Sequence, residues 1–441
     1  MYHISINSNS NLLGNLLALN SSYSSYCLLN SNCNHQQEQG DWNKQLNKAK
    51  SSYLLGLGEI DFIGVNKNCM YELDVFTQKH KGKWLFGCIS YDIKNEIEKL
   101  ESENYDGLEF PLIHFFVPKY VVEINENNCT IHSQGANDSK EEIDTLIAKL
   151  TNTQIAHPDS QNAKLETINL ETRNSKQEYL AAVNKLKQHI QLGDIYEVNY
   201  CMEFFAQNVT INPITVYEKL NTLTMAPFSA FYKNGSNYAL CGSPERFIKK
   251  EGSKISSQPI KGTAKRFENK EEDELAKKQL FENKKERSEN VMIVDLVRND
   301  LSRIATRSSV QVEELFGVYT FKSVHQLIST ISAEVKPDLQ FIDILEALFP
   351  MGSMTGAPKI RAMQLIEQYE KTKRGLYSGS IGYIKPNGDF DFNVVIRSIL
   401  YNEEKEYVSF MTGSAITANC EAEMEYEECL LKAEALAKAL R

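Results

Sequence analysis

Glu245 and Lys261 are a carboxylic acid and an amine whose spacing in the sequence could suit proton transfer or nucleophilic attack. Lys261 lies in the segment Gln258–Thr263, where the fixed φ of proline and the freedom of glycine give the backbone a sharply directed course. Glu245 precedes it, and the polar, glycine-containing turn between them predicts a β-hairpin whose arms bring carboxylate and amine together. Spacing alone favours the alternative, an exposed lysine and a glutamate paired with Arg246, because exposed charges are the norm.

Three further glutamates have a spacing that suits a metal ion. Glu289 lies where the predicted helical stretch 271–301 changes from heavily charged to apolar residues. Glu425 and Glu428 are three residues apart on a predicted C-terminal helix, so they share one helix face. Like charges so placed repel unless a cation relieves them, and hard oxygen ligands suit Mg²⁺. The alternative is a solvated acidic face, since the stretch 421–434 contains many glutamates.

Other residues are candidates for contact with an anion. The glycine-rich segment 352–359 precedes a predicted helix with Pro358 at its first position, so free N–H groups and the helix dipole favour an anion there; a generic connector is the alternative. Arg397 falls in a strand predicted over 391–397, and an arginine in an apolar strand needs an anionic partner. His325 lies amid apolar residues, where a histidine is usually a satisfied core residue.

The overall composition is that of a globular protein with a large core. The 441 residues are 42% hydrophobic and 24% charged, and the length exceeds that of a typical single domain. A formal net charge of −10 argues against nucleic acid or an anionic membrane as the main partner, though not against an anionic small substrate. We see no signal peptide pattern and no apolar run of membrane-helix length. Nine cysteines without CxxC pairing indicate reduced thiols, so we expect a cytoplasmic protein.

Strands and helices on both sides of one polar segment must position these residues. An amphipathic helix is predicted over 138–150, and a second helix opens with a capping box at 175–178. The polar segment 151–173 between them contains a proline and is the best linker in the chain. We therefore expect an N-terminal region over residues 1–160 and a catalytic region over residues 161–441.

Three motifs, in order along the chain, resemble those of the chorismate-utilising enzymes. They are the Pro-Ile-Lys-Gly-Thr run around Lys261, the run 287–296, and the run 355–359. The resemblance covers the chain from about Ser175 to its end. It implies an α+β fold with two large, mostly antiparallel β-sheets packed as a sandwich and helices outside. Both halves of the chain would contribute strands, and the site would lie in a cleft formed mainly by residues after 175.

The resemblance also implies roles for individual residues. Glu289 and Glu428 match the magnesium ligands of the family, with Glu425 alongside. Tyr383 and Arg397 match residues that hold the pyruvyl carboxylate of the substrate. Other substrate contacts are matched by His325, Thr355, Gly413 and, in the backbone around it, Ala415. The usual glycine-rich turn is Gly413-Ser414-Ala415 here, so the approach of substrate to this backbone must tolerate a methyl group.

Within the family, Lys261 resembles the lysine of aminodeoxychorismate synthase component I, where anthranilate synthases typically carry alanine. The resemblance implies that Lys261 attacks C2 of chorismate while Glu245 protonates the departing C4 hydroxyl. Ammonia then adds at C4, expels the lysine and gives 4-amino-4-deoxychorismate. We find no recognisable glutaminase domain, which implies that a separate glutamine amidotransferase subunit supplies the ammonia. The alternatives on the same scaffold are anthranilate synthase component I and isochorismate synthase.

Overall fold

Many short apolar segments of the chain form strands, and the longer amphipathic segments form helices. The computed structural model describes residues 1–5, 12–32, 52–135, 139–151, 168–321 and 324–441. The strands in these ranges are β1 (Tyr2–Ser5), β2 (Ser25–Asn30), β3 (Ser52–Leu57), β4 (Asp61–Val65), β5 (Leu85–Ile89), β6 (Ile113–Val117), β7 (Tyr120–Asn125), β8 (Asn128–Ser133), β9 (Glu171–Thr172), β10 (Glu197–Gln207), β11 (Phe228–Asn234), β12 (Asn237–Ser243), β13 (Arg246–Glu251), β14 (Lys254–Gln258), β15 (Ile260–Lys265), β16 (Gln311–Thr320), β17 (Val324–Glu334), β18 (Gly356–Ala357), β19 (Ser380–Ile384), β20 (Phe390–Asn393), β21 (Ser398–Asn402) and β22 (Tyr407–Thr417). The α-helices are α1 (Leu12–Ala18), α2 (Cys69–Lys79), α3 (Lys94–Ile97), α4 (Lys140–Thr151), α5 (Lys176–Gln191), α6 (Pro213–Thr224), α7 (Lys270–Glu282), α8 (Lys284–Ser302), α9 (Phe341–Leu348), α10 (Lys359–Tyr369) and α11 (Ala422–Leu440).

The strands assemble into two large antiparallel sheets. The twelve-stranded first sheet has the order β1-β8-β7-β3-β2-β11-β12-β21-β22-β10-β18, with β9 paired to β10. The ten-stranded second sheet has the order β15-β17-β14-β13-β20-β19-β5-β6-β4, with β16 paired to β17. Because β2 pairs with β11 and β5 pairs with β19, both sheets combine early and late parts of the chain. The predicted boundary at residue 160, and residues 152–167 of the predicted linker, lie outside the described residues.

Two apolar cores show how the layers stack. One core fills the space between the sheets, and the other lies between the first sheet and helices that include α5 and α11. Along β10, Val198 and Tyr200 belong to the helix-side core, whereas Cys201 belongs to the inter-sheet core. Because side chains alternate along a strand, Glu197 shares the face of Cys201 that looks toward the second sheet. This arrangement confirms the expected sandwich with helices outside.

The helix signals in the sequence hold in part. The capping box at 175–178 and the amphipathic helix before residue 151 are both present, the latter as α4. The stretch 271–301 is helical as predicted, but it forms two helices, because the chain breaks at Asn283, whose side chain accepts the first free N–H groups of α8. Pro358 precedes α10 rather than opening it. Within the described ranges, we find no helix long and apolar enough to cross a membrane.

Candidate active site

The predicted hairpin forms and leads directly into the strand that carries Lys261. β13 and β14 pair antiparallel, with Arg246 opposite Gln258. Lys261 follows on β15, the edge strand of the second sheet, where the pairing with β17 shifts between residues 260 and 263. Gly262 supplies the positive φ of 94° that this irregularity needs. Lys261 and Glu245 are both buried.

Lys261 pairs with a glutamate that the sequence did not single out. Its Nζ donates to Glu197 Oε1 at 2.7 Å, and this contact joins the edge of the second sheet to β10 of the first. Glu197 is 1% exposed, and its Oε2 has no hydrogen-bond partner. Burial favours the neutral amine, but the carboxylates of Glu197, Glu289 and Glu245 outweigh it and raise the pKa of Lys261 above its usual value. The resting side chain is therefore an ammonium ion.

Glu245 is poised to carry a proton near neutral pH. Burial raises the pKa of Glu245 to about 7, although the Ser353 hydroxyl and the charge of Lys261 oppose the rise. The Ser353 hydroxyl donates to Glu245 Oε1 at 2.7 Å. A buried carboxyl group with this pKa suits a general acid. Ser353 lies in the glycine-rich segment 352–359, so this segment supports the acid through a side chain rather than through its backbone alone.

The three glutamates of the expected metal site gather around one lysine. Lys285 Nζ lies 3.2 Å from Glu425 Oε1 and 3.9 Å from Glu289 Oε1. Burial lowers the pKa of Lys285, but Glu425, Glu289 and Glu428 together raise it above its usual value. Glu428 also pairs with Lys432 at 2.5 Å. The three carboxylates therefore share one cationic neighbour between α8 and α11.

The prediction of a cation in this cluster rests on one buried carboxylate oxygen. Glu289 Oε1 is buried and accepts no hydrogen bond, and burial raises the pKa of Glu289 to about 7. Such an oxygen is costly to leave unpaired, and a metal ion is one way to satisfy it. In the described part of the chain, no three His, Cys, Asp or Glu side chains are already gathered as a ligand set. The magnesium site therefore stays a prediction that the acidic cluster suits.

Arg397 is half-buried, and it lies outside the strand that the sequence predicted for it. β20 ends at Asn393, and Arg397 has a φ of 52° in the connection to β21, so the alternation expected over 391–397 is wrong there. Its guanidinium donates to the carbonyl of Lys432 at 3.2 Å. Burial lowers the pKa of Arg397, against the opposing effects of Tyr377 and Glu428. One hydrogen bond to a carbonyl leaves guanidinium donors that suit a carboxylate.

Tyr383 lies on β19 in the second sheet, and its contact with the substrate stays a prediction. Its ring packs 5.9 Å from that of Trp84 and 6.1 Å from that of Phe86, in line with its place opposite Phe86 in the second sheet. The tyrosine whose electrostatic effect reaches Arg397 is the buried Tyr377, six residues earlier. The sequence places both tyrosines in one glycine-containing stretch, and only the fold distinguishes them.

His325 and Thr355 have their polar atoms engaged within the protein. His325 Nε2 lies 3.0 Å from Asp273 Oδ1 and its Nδ1 lies 2.9 Å from Thr320 Oγ1. Burial lowers the pKa of His325, although Asp273 opposes this effect. The Thr355 hydroxyl donates to carbonyls of its own turn at 3.3 Å. Contact of either residue with substrate stays a prediction.

Gly413 and Ala415 lie on β22 and face the space between the sheets. Lys432 donates to the carbonyl of Gly413 at 2.8 Å. A Cβ at Gly413 would lie only 2.4 Å from Cys201 Sγ, so this position requires glycine. Ser414 points the opposite way, and its hydroxyl lies 3.2 Å from that of a tyrosine in α5. Of the two added side chains, only the methyl group of Ala415 is on the inter-sheet face.

Comparison with known proteins shows which family this chain resembles in sequence. The family described as chorismate binding enzyme matches residues 35–438. The chain is 34% identical over 389 residues to a Synechocystis protein described as anthranilate synthase component I-like, covering 86% of this chain and 78% of that one. It is 33% identical over 360 residues to aminodeoxychorismate synthase component 1 of Bacillus subtilis, covering 80% and 76% of the two chains.

A solved structure extends the likeness to the fold. Anthranilate synthase component I from Streptococcus pneumoniae superimposes with a TM-score of 0.76 at 25% identity, over 91% of this chain and 94% of that chain. The matched residues include all the site residues described above. This protein belongs to the family of chorismate binding enzymes.

Proposed function

We propose that this protein is an aminodeoxychorismate synthase component I, which converts chorismate and ammonia to 4-amino-4-deoxychorismate for the synthesis of 4-aminobenzoate and folate. The observation that carries the proposal is Lys261 itself. It is buried at the sheet edge, ion-paired with Glu197, and electrostatically coupled to Glu245, which holds a proton near neutral pH. Binding of chorismate alone has no need of a buried amine beside a protonated acid.

In the proposed reaction, Lys261 and Glu245 act on opposite ends of the substrate diene. The neutral amine of Lys261 forms a bond to ring C2 while the C4–O bond breaks, and Glu245 gives its proton to the leaving hydroxyl, which departs as water. Ammonia then bonds to C4 and gives one proton to the Glu245 carboxylate, and the C2–N bond breaks to return the neutral lysine amine. Because the side chains of Lys261 and Glu245 are buried and fixed in direction, they hold the reacting atoms in line without a further loss of conformational freedom.

The remaining residues of the cluster bind and orient the substrate. Arg397 has donors for a carboxylate of chorismate, and Tyr383 is the second residue that would hold the pyruvyl carboxylate. Glu289, Glu425 and Glu428 are the residues that would hold Mg²⁺, and the ion when bound would neutralise the ring carboxylate. Gly413 and Ala415 would bring backbone close to the substrate from β22.

The ammonia source that we propose is a separate glutamine amidotransferase subunit. The Bacillus subtilis relative is described as a component 1, which supports a partner of this kind for the present chain. With ammonium salts, the chain alone should therefore be active.

Anthranilate synthase component I is the second candidate, supported by the descriptions of two similar proteins. One assay separates the two functions. The purified chain is incubated with chorismate, Mg²⁺ and ammonium, and the product is identified by mass spectrometry and fluorescence. Aminodeoxychorismate keeps the non-aromatic ring and does not fluoresce, whereas anthranilate is aromatic and fluorescent. Formation of anthranilate would overturn the proposal.

A further inference from the structure

Glu197 is placed to do more than hold Lys261 in position. In the described part of the chain, it is the only side chain within hydrogen-bond distance of Lys261 Nζ. Its backbone is fixed on both sides, because residue 197 pairs with Ala357 of β18 and with Thr417 of β22. Side chains on such a rigid strand keep their geometry through a reaction.

The proposed chemistry creates a need that Glu197 meets. A lysine attacks only as the neutral amine, yet the surrounding carboxylates keep Lys261 charged. Because Lys261 is only 9% exposed, the base that removes its proton must belong to the site. Glu245 has its own proton to donate, and Glu289 belongs to the acidic cluster of α8. Neither is hydrogen-bonded to Nζ.

We infer that Glu197 accepts the proton of the Lys261 ammonium group and so generates the nucleophile. An N–H bond of Lys261 breaks, an O–H bond forms on Glu197 Oε1, and the pair passes from two opposite charges to none. The freed electron pair then attacks C2. After ammonia has displaced it, the amine recovers its proton from Glu197. This inference rests on the proposed function.

The absence of a partner for Glu197 Oε2 agrees with this role. Glu197 Oε2 is buried and accepts no hydrogen bond, so Lys261 is the only donor that this carboxylate meets in the described part of the chain. A carboxylate kept only for structure is normally satisfied at both oxygens, as Glu203 is further along the same strand. Glu203 accepts from the hydroxyls of Tyr407 and Ser409, each at 2.8 Å, and from Arg173.

The test compares Glu197→Gln with Glu197→Asp at saturating chorismate, Mg²⁺ and ammonium. Glutamine keeps the length and the hydrogen-bond acceptor but cannot take a proton. Aspartate keeps the carboxylate, but its side chain is one methylene group shorter. For a proton acceptor, we expect Glu197→Gln to lose roughly 10²–10³-fold in kcat with little change in KM, and Glu197→Asp to retain more. For a residue that only positions Lys261, Glu197→Gln should instead retain more kcat than Glu197→Asp. That result would overturn the inference.

Three further measurements make the result specific. Glu197→Gln added to Lys261→Ala should cause no additional loss, because the two residues act on one proton. Glu203→Gln, the matched control on β10, should keep its kcat per folded molecule even where its melting temperature falls.

The covalent adduct on Lys261, followed by mass spectrometry with chorismate alone, should form more slowly in Glu197→Gln by the same factor as kcat. An additive loss in the double variant, or an unchanged rate of adduct formation, would contradict the inference. A wild-type chain that makes no aminodeoxychorismate would instead refute the proposed function.

Discussion

Lys261 shows how the site holds a reactive side chain in a charged resting state. Burial on its own would favour the amine, but three carboxylates surround Lys261 and keep it protonated. Glu245 lies in the opposite situation, since burial dominates and raises its pKa to about 7. In these resting states Glu245 already carries the proton of the acid, and transfer of one proton from Lys261 to Glu197 prepares the nucleophile.

Replacement of Lys261 tests covalent catalysis directly. Lys261→Ala should lower aminodeoxychorismate formation by about 10³-fold or more while chorismate still binds, because binding rests on other groups. Lys261→Arg should be no better, since a guanidinium stays protonated and cannot attack. The measurements are kcat with saturating ammonium and chorismate affinity by calorimetry. A near-normal rate in Lys261→Ala would show that ammonia attacks directly.

The buried carboxyl of Glu245 predicts a pH-dependent stability. Its folded pKa of about 7 lies above the ordinary value of 4.5, so the folded state holds the proton more tightly than the unfolded state. Glu245 therefore lowers the free energy of unfolding as pH rises from about 4.5 to about 7. Relative to wild type, Glu245→Gln should gain roughly 2–3 kcal/mol between pH 5 and pH 8, measured by urea unfolding. The exposed Glu434→Gln serves as control, and parallel curves for Glu245→Gln and wild type would contradict the pKa.

Single residues also mark the limit of what the sequence alone predicts. Lys261 and Glu245 could be identified from their motifs, because the hairpin that relates them is local. Glu197 could not, since its contact with Lys261 spans two sheets and 64 positions of chain. Its only signal was an acidic residue at the start of a largely apolar, aromatic strand that also carries Glu203. Tyr377 was not singled out either, because only the fold shows that it affects the pKa of Arg397.

At the scale of elements, the break at Asn283 and the two helices around it shape the acidic cluster. The stretch 271–301 was predicted to be helical, and it forms two helices because Asn283 caps a new helix there. α8 then runs along the second sheet and carries Glu289 toward the C-terminal helix α11. The helices were predictable from local pattern, whereas their meeting at Lys285 was not, because it depends on how both pack on the sheets.

The metal prediction belongs to these two helices. Glu289→Gln and Glu428→Gln should each weaken Mg²⁺ binding by at least about tenfold and raise the Mg²⁺ concentration needed for activity. Titration calorimetry with MgCl₂ measures the first effect independently of turnover. Glu434→Gln, on the same helix but exposed and paired with Lys438, is the matched control. Unchanged Mg²⁺ affinity in both cluster variants would show that the glutamates only balance Lys285.

The short strand β18 predicts a second effect at this scale. Gly356 has a φ of 149°, and a Cβ there would lie 2.1 Å from the carbonyl oxygen of Glu197. Gly356→Ala should therefore displace the start of β10, destabilise the protein by about 1–3 kcal/mol and reduce kcat. In Gly64→Ala the nearest atom is 3.6 Å away, so this control should change stability by less than about 1 kcal/mol. Equal behaviour of the two variants would contradict the placement of β18 against β10.

At the scale of the whole molecule, the site exists because two sheet edges meet. β15 is the edge of the second sheet and β10 lies next to the edge of the first, so Lys261 and Glu197 face each other across the sandwich. The family motifs predicted the sandwich, and the comparisons confirm that family. Sequence periodicity could not give the strand order, because early strands such as β2 and β5 insert among late ones.

The most direct test of the central claim is the identity of the product made by the purified chain. Chorismate, Mg²⁺ and ammonium should yield 4-amino-4-deoxychorismate, seen by mass spectrometry as a non-fluorescent, non-aromatic amine. Glutamine in place of ammonium should yield no product until an amidotransferase subunit is added. Fluorescent anthranilate, a product formed without ammonium, or glutamine-driven turnover by the single chain would contradict the account.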